Sequence, residues 1–324
     1  MERRQFIATA ALGSLMLPTL AKRNTTPLPF TFSLTGNEIR YNSEAFARAT
    51  KVIFLSDTHL WQHDDREIPY QRYSDRMAGA YHRTRHFQTG EPTDPMTSFE
   101  QTLRYAAENE SDLLVLGGDI FSYPSEAAIE WALDKLNSTG IPYIYTTGNH
   151  DWHYEGMEGS SMDLRREWTD KRLKKLFHGK NPAISYQDVN GIRFLVVDNS
   201  VYEILPEQLT FFEQYTRTDL PIVLVMHIPL YVAGRSINFG CGHPEWGAQS
   251  DDGYQTERRE RWRKGGHTSV TMDFHRKVFE TPNLVGILTG HIHSPSLDVV
   301  NGIPQFVAPA NAQGGFLEID FLHG

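Results

Sequence analysis

The sequence predicts an α/β fold with a largely parallel core, and three observations lead to this class. Five short apolar runs, rich in Val, Ile, Leu and Tyr, end abruptly in polar residues, as strands buried on both faces do. Segments with apolar residues at helical spacing separate most of these runs, and this alternation is typical of α/β folds. Two hairpin-like pairs, 183–189 with 192–197 and 297–300 with 305–308, indicate that the sheets are mixed.

The five apolar runs predict the central strands, and each leads into groups that can bind a metal ion. The runs are residues 52–55, 113–116, 143–145, 222–226 and 284–288. Open α/β sheets bind ligands beyond the carboxyl ends of their strands. Carboxylate, imidazole and amide groups follow these five runs, and such groups bind hard or borderline metal ions. We therefore expect one site built from Asp57, His59, Asp119, Asn149, His227, His291 and His293.

Four helices are predicted from apolar residues that recur at helical spacing. They cover residues 98–110, 125–136, 163–177 and 206–215. Ser98 is the expected N-cap of the first, because a serine side chain accepts a hydrogen bond from the first turn.

The first residues resemble a twin-arginine export signal rather than a part of the fold. Arg3-Arg4 precedes an apolar run from Phe6 to Ala21, and small residues at 19 and 21 provide a cleavage site. We assign residues 1–21 to a signal peptide and expect an exported protein, periplasmic or secreted. The alternative is a frayed N-terminal helix. Residues 22–50 are predicted to form a linker and a first hairpin.

Composition excludes several classes of protein. The chain of 324 residues has a net charge of −9, which argues against a dedicated nucleic-acid binder, because phosphate contacts need a basic surface. No second stretch approaches transmembrane length, so we expect no integral membrane association. Cys241 is the single cysteine, so an intrachain disulfide and a thiolate metal cluster are both excluded. It is either a nucleophile paired with His243 or an inert thiol.

Two segments are too long for plain connectors, and we call them the first insertion (residues 60–95) and the second insertion (residues 234–266). Loops of this length are usually functional or disordered. Arginines and aromatic residues of the first insertion suit a phosphate or an aromatic leaving group. The alternative is a solvated basic segment without a role in substrate binding. The residues concerned include Arg66, Arg72, Arg76, Arg83, Arg85, Tyr70, Tyr73, Tyr81, His82 and His86.

The polar strand endings, taken together, resemble the five motifs of the calcineurin-like metallophosphoesterases. The matching segments are Asp57-Thr58-His59, Gly118-Asp119, Gly148-Asn149-His150-Asp151, Met226-His227 and Gly290-His291-Ile292-His293. The resemblance runs from about Lys51 onward, and it places a single domain at residues 51–324. It implies two packed mixed β-sheets flanked by helices, which is a four-layer αββα sandwich.

The resemblance also implies a pair of divalent metal ions. One ion would be held by Asp57, His59, Asp119 and His293, and the other by Asp119, Asn149, His227 and His291, so that Asp119 bridges the two. Mixed oxygen and nitrogen ligands suit Mn, Fe, Zn, Co or Ni, and the residues do not decide among them.

The reaction implied is hydrolysis of a small phosphate ester, either a monoester or a diester. A hydroxide that bridges the two metals would attack phosphorus. His150 would face the substrate and assist the leaving group. Asp151 would either orient His150 or accept hydrogen bonds from loop amides.

The chain departs from the motifs of two branches of the family, the purple acid phosphatases and the protein Ser/Thr phosphatases, so we expect it to belong to neither. Purple acid phosphatases have a tyrosine three residues after the motif aspartate, where this chain has Ser122. Protein Ser/Thr phosphatases have a second aspartate and an arginine that the segment after Gly118 lacks. Two alternatives to a small-ester hydrolase stay open, namely a non-catalytic binding scaffold with this fold and a nuclease.

Overall fold

The computed structural model describes residues 26–247, 255–256, 260–261, 263 and 265–324. The predicted signal peptide at 1–21 lies outside the described residues, and export stays a prediction. Among the residues described, no helix is both long and apolar enough to cross a membrane.

The secondary structure alternates strands with helices over most of the chain. The helices are α1 (Gln71–Ala80), α2 (Pro95–Glu108), α3 (Glu126–Thr139), α4 (Ser161–Lys171), α5 (Pro206–Tyr215) and α6 (Ser269–Phe279). The first eight strands are β1 (Thr31–Thr35), β2 (Glu38–Asn42), β3 (Thr50–Leu55), β4 (Thr84–Arg85), β5 (Pro92–Thr93), β6 (Leu113–Leu116), β7 (Tyr143–Tyr145) and β8 (Ile184–Val189). The others are β9 (Ile192–Val197), β10 (Ile222–Val225), β11 (Gln255–Thr256), β12 (Glu260–Arg261), β13 (Leu284–Thr289), β14 (Ser296–Val300), β15 (Ile303–Val307) and β16 (Leu317–Leu322). Short 3₁₀ helices lie at Asp65–Tyr70, Leu173–Phe177, Ile237–Phe239 and Asn311–Gln313.

Two six-stranded sheets form the centre of the molecule. The first sheet has the order β1-β2-β16-β3-β6-β7, and the second has the order β14-β15-β13-β10-β9-β8. In the first sheet, β2–β16, β3–β6 and β6–β7 are parallel, and the other two pairs are antiparallel. In the second, the three inner pairs are parallel and the outer hairpins are antiparallel. Both sheets are therefore mixed, as the sequence predicts.

The two sheets pack face to face through alternate residues of their strands. Val52 and Phe54 of β3 contribute to this inner core together with Phe194 of β9 and Val223 of β10. Apolar area removed from water contributes roughly 25 cal/mol per Å², so this layer is a major source of stability. The intervening residues of each strand point to the opposite face.

Helices cover both outer faces. On the first sheet, Ile53 packs in a cluster with residues of α2, α3 and α4, such as Phe99 and Trp168. On the second sheet, Leu224 packs in a cluster with residues of α5 and α6, such as Phe274. The layers follow the order helices, sheet, sheet, helices, which confirms the predicted αββα sandwich.

Helix α2 begins earlier than the sequence analysis expected, and Ser98 is not its N-cap. Asp94 takes that position, because its side chain accepts a hydrogen bond from the Thr97 amide at 3.0 Å. Pro95 occupies the first helical position, where its missing N–H costs nothing. The buried Ser98 hydroxyl instead lies 3.0 Å from the Thr93 hydroxyl.

The first insertion is attached to the body of the protein through a buried ion pair. Arg172, at the end of α4, donates to Glu67 at 3.1 Å and to the Pro124 carbonyl at 2.7 Å. The Tyr154 hydroxyl contacts both charged groups. The side chains of Arg172 and Glu67 are only 5% and 2% exposed. A pair removed from water to this degree needs all of these hydrogen bonds to offset its lost hydration.

Replacing Arg172 by Met should destabilise the protein by about 3–5 kcal/mol, because it leaves the Glu67 carboxylate buried without a cation. The free energy of unfolding from urea denaturation measures this effect. Arg166→Met is the matched control. Arg166 pairs with Asp163 on α4, and the two side chains are 72% and 63% exposed, so its loss should cost less than about 1 kcal/mol. Equal costs for the two variants would contradict the assignment of Arg172.

Candidate metal centre

Loops from both sheets meet at the carboxyl ends of β3, β6, β7, β10 and β13. The amides of Asp57 and His59 donate to the carbonyls of Gly118 and Asp119, each at 2.9 Å. The Gly290 amide donates to the His227 carbonyl, also at 2.9 Å. These bonds join the loops within each sheet, and the His291 amide joins the two sheets by donating to the Asp57 carboxylate at 3.0–3.1 Å.

Three of the predicted ligands form what we call the first metal group, namely Asp57, His59 and His293. One ligand atom from each lies within 4.8 Å of the others. The Nε2 atoms of His59 and His293 are 3.1 Å apart, and His293 Nε2 lies 3.2 Å from Asp57 Oδ1. One carboxylate oxygen and two imidazole nitrogens converge on a space of ionic size.

The second metal group consists of Asp119, His227 and His291, which satisfy the same distance limit. His227 Nδ1 donates to the Gly117 carbonyl at 2.9 Å. This hydrogen bond directs the other ring nitrogen, Nε2, toward Asp119 Oδ2 at 3.2 Å. The donor set repeats that of the first metal group, and both sets fit a borderline divalent ion.

Asn149, the seventh predicted ligand, is buried in the same cluster of loops. Its neighbour His150 donates its amide to Asp119 Oδ1 at 2.7 Å. A side chain at Gly148 would collide with the Asp119 carboxylate, so the β7 loop approaches Asp119 as closely as glycine allows. All seven predicted ligands therefore lie together, six of them in the two metal groups.

At five of the seven predicted ligands, the backbone lies in the left-handed region. Non-glycine residues adopt it rarely, and each instance costs of order 1–3 kcal/mol. The φ angles are 55° at Asp57, 56° at His59, 51° at Asp119, 70° at His291 and 59° at His293.

Each metal group contains a carboxylate beside an imidazole whose pKa that carboxylate raises in the metal-free protein. Burial raises the pKa of Asp57, but His293 outweighs it and lowers the value to about 2. Burial lowers the pKa of His227, but the Asp119 carboxylate outweighs it and raises the value to about 10. The pKa of His293 is raised for the same reason, by Asp57. Both shifts favour the cationic imidazole, whose charge offsets that of the neighbouring carboxylate.

The other imidazole of each group is neutral. Burial lowers the pKa of His59 well below its usual value. Burial, with the cationic His227 nearby, lowers the pKa of His291 to about 3. A neutral imidazole has a free lone pair, which is the form that binds a metal.

Asp151 holds the loops rather than facing the cluster. Its carboxylate accepts hydrogen bonds from the amides of Asp119, Phe121 and Gly148 at 2.7–2.9 Å. Burial and the nearby Asp119 raise its pKa to about 7. Of the two roles that the sequence left open, these contacts favour the acceptance of loop amides.

His150 lies at the open side of the cluster and is half-buried. Its ring stands perpendicular to the His59 ring, with centroids 5.0 Å apart. The side chains of Asp57, His59, Asp119 and His227 are buried, whereas His291 and His293 are partly exposed. A ligand would therefore approach over His150, His291 and His293.

Two aromatic residues lie beside the ligands. The sequence predicts a contact of Tyr81 with a phosphate or a leaving group, and it does not single out Tyr202. Tyr81 of the first insertion stacks on His59 with centroids 3.8 Å apart. Tyr202 presents its ring at 80° to His291 at 5.7 Å, and Trp246 of the second insertion stacks on Tyr202. Tyr202 has a φ of 64°, a strained value for a bulky side chain. The first insertion thus contacts a ligand directly, and the second insertion contacts Tyr202, which in turn contacts His291.

Cys241 is an inert thiol. It is fully buried, and burial raises the pKa of its thiol, so the nucleophilic thiolate is not formed at neutral pH. Its neighbour Asn199 approaches the sulfur at 3.6 Å. The proposed pairing with His243 as a nucleophile has no support in this geometry.

Divalent ions should bind more tightly as the pH rises, because His227 must lose its proton before Nε2 can bind a metal. With a pKa of about 10, His227 is protonated in the metal-free protein at neutral pH. Binding of Mn²⁺ at pH about 7 should therefore release protons. Calorimetric titration in buffers with different ionisation enthalpies measures the number released. A binding enthalpy that does not depend on the buffer would contradict this charge assignment.

The chain matches a known protein family in sequence. The sequence model of the calcineurin-like phosphoesterases matches residues 50–295. No curated protein is similar enough in sequence to count as a relative.

Solved structures with a similar course of the chain share little of its sequence. A dimetal phosphatase from Danio rerio has 10% identity and a TM-score of 0.47, with 83% of this chain and 91% of that chain covered. The protein TT1561 of Thermus thermophilus has 9% identity and a TM-score of 0.44, with 82% and 91% covered. A purple acid phosphatase from yellow lupin seeds has 13% identity and a TM-score of 0.46, with 86% and 47% covered.

The family match spans all five motifs up to His293, and it confirms the resemblance that the motifs predict. With its two metal-binding groups at the strand ends, the chain belongs to the calcineurin-like phosphoesterase family and is a metal-dependent phosphoesterase.

Proposed function

We propose that the chain hydrolyses small phosphate esters at a centre of two divalent ions. The observation that carries the proposal is the pair of metal groups, each with one carboxylate and two imidazoles, at the shared edge of the two sheets. Family membership alone supports a phosphoesterase. The paired donor sets support two ions rather than one.

The proposed ligands follow the division into two groups, with two additions. Asp119 would bridge, because its carboxylate faces His227 and its backbone carbonyl contacts the loop of His59. Asn149 would complete the second set with an amide oxygen. The first ion would be held by Asp57, His59, Asp119 and His293, and the second by Asp119, Asn149, His227 and His291. We infer Mn, Fe, Zn, Co or Ni from the mixed donors.

Two such ions, when bound, lower the pKa of a shared water and orient the phosphoryl group for in-line displacement. The residues of the chain keep the two donor sets in register through the hydrogen bonds between loops. His150 lies on the side left open for substrate, and its backbone amide is anchored to Asp119 at 2.7 Å. We infer that its imidazole donates a proton to the leaving oxygen.

The charge of the loaded site explains how an acidic protein would attract an anionic substrate. The chain carries −9 overall, but two divalent ions outweigh the two ligand carboxylates, Asp57 and Asp119. A locally cationic cleft raises the local concentration of a phosphate ester. The preference for a monoester or a diester depends on contacts with the leaving group.

Replacing Asp119 by Asn should weaken the binding of both ions, because one bridging carboxylate serves the two sites. Metal content after equilibrium dialysis against Mn²⁺ measures this. Asp57→Asn is the matched control, since Asp57 belongs to the first metal group alone and its loss should affect one ion. If Asp119→Asn loses only one ion, the bridging assignment is wrong.

Replacing His150 by Ala should leave the metal content unchanged and slow turnover by roughly 10²–10⁴-fold, as expected for loss of a general acid. Turnover of p-nitrophenyl phosphate and bis-p-nitrophenyl phosphate by the Mn²⁺-loaded protein measures it. Phenyl phosphate should suffer the larger loss, because its poorer leaving group depends more on the proton.

The same assay decides the substrate class. The ratio of monoester to diester turnover in the unaltered protein identifies the preferred ester. An equal loss on phenyl and p-nitrophenyl phosphate would remove His150 from the acid role. No turnover of any ester with two ions bound would favour the binding scaffold over the enzyme.

A further inference from the structure

The first insertion places an aromatic ring against the first metal group. Tyr81 follows α1, and its ring lies parallel to the His59 ring, with centroids 3.8 Å apart and planes at 5°. The same ring meets His293 at 5.6 Å and 63°. Tyr81 therefore contacts two of the three side chains of this group, although it belongs to none of the five family motifs.

His59 lacks the contact that normally fixes a metal-binding histidine. Such a residue usually donates its second ring nitrogen to a carbonyl or carboxylate, which sets the orientation of the ring. His227 follows this pattern through the Gly117 carbonyl at 2.9 Å. In contrast, His59 Nδ1 is buried and has no hydrogen-bond partner within the described part of the chain. The orientation of the His59 ring must therefore come from packing.

The segments before and after Tyr81 are both attached to the body of the protein. Upstream, the first insertion is tied to the body by the buried pair of Glu67 and Arg172. Downstream, the Thr84 hydroxyl donates to the Ala312 carbonyl at 2.6 Å, and the Ala312 amide donates to the Asp57 carbonyl at 2.9 Å. The segment that carries Tyr81 is thus connected to the loop of the first metal group, so its ring has a defined position over His59.

We propose that Tyr81 is a positioning residue for His59, and that its stacked ring replaces the missing hydrogen bond. The ring would keep His59 Nε2 directed at the first ion. This inference rests on the proposed two-ion centre and adds an asymmetry to it. Binding of the first ion depends on the first insertion, whereas the second ion is held by His227 without help from that insertion.

The coupling is reciprocal, because a linkage between two equilibria acts in both directions. If the docked insertion favours binding of the first ion, then binding of the first ion favours the docked insertion. Occupancy of the second site should have no such effect. Hydrogen exchange of the backbone amides of α1, with and without metal, reports this second consequence.

The test is a titration of the metal-free protein with Co²⁺, followed by calorimetry and by visible absorption, which is sensitive to coordination geometry. Tyr81→Leu and Tyr81→Met remove the aromatic ring, and we expect one of the two ions to bind about 10–100-fold more weakly, as for lost supporting contacts of metal ligands. Tyr81→Phe keeps the ring and should bind both ions as the unaltered protein does. Thermal unfolding of each metal-free variant identifies any that has lost its fold.

Phe87→Leu is the matched control for loss of an aromatic ring on the same insertion. Phe87 is 38% exposed, and its ring contact within the described part of the chain is with His86 rather than with a residue of either metal group. It should leave both affinities unchanged. In an Asp57→Asn background, which removes the first ion, Tyr81→Leu should have no further effect on the ion that remains.

Three outcomes would overturn the role of Tyr81. They are unchanged affinity for both ions in Tyr81→Leu and Tyr81→Met, a Tyr81→Phe variant as weak as Tyr81→Leu, and a further loss in the Asp57→Asn background. A different result, namely fewer than two ions bound by the unaltered protein, would contradict the proposed function itself. The two failures are therefore distinguishable in a single set of titrations.

Discussion

Two carboxylates, Asp57 and Asp119, are buried within one cluster of loops. The rest of the site follows from the need to offset their negative charge. In the metal-free protein, Asp57 raises the pKa of His293 and Asp119 raises the pKa of His227, so each carboxylate favours a cationic imidazole beside it. Buried charge of one sign is unstable without compensation. The cluster is therefore built to hold cations, and divalent ions would provide the charge that two protons provide in their absence.

The αββα sandwich makes this cluster possible because it brings two layers of strands, about 10 Å apart, to a common edge. Five strands deliver their carboxyl ends there, and their loops are hydrogen-bonded to one another. The left-handed backbone at five ligands, together with the close approach of Gly148, is unfavourable locally. The rigid sheets and the amides gathered by Asp151 hold these residues in place.

Much of the fold and most of the site are readable from the sequence, for an identifiable physical reason. A strand buried on both faces needs a continuous apolar run, so runs such as 113–116 are visible, and the ligands sit immediately after them. The start of α2 was misread because Asp94-Pro95 is a stronger N-terminal signal than Ser98. The approach of Tyr81 to His59 is not readable, since it depends on where the first insertion packs against the body of the protein, which contacts between residues far apart in the sequence determine. The pairing of Glu67 with Arg172, 105 residues apart, is hidden for the same reason.

The place of β16 in the first sheet has a consequence for the order of folding. This strand lies between β2 and β3, and it is the strand through which the β1–β2 hairpin joins the sheet. Lys51 of β3 bonds to Glu318 of β16 across 267 residues. Such non-local pairing makes folding slow, because the chain loses the entropy of closing a long loop before the stabilising contacts between the strands form. During synthesis, the β1–β2 hairpin and β3 emerge early, whereas β16 emerges late. The first sheet is therefore complete only once residues 317–322 have left the ribosome.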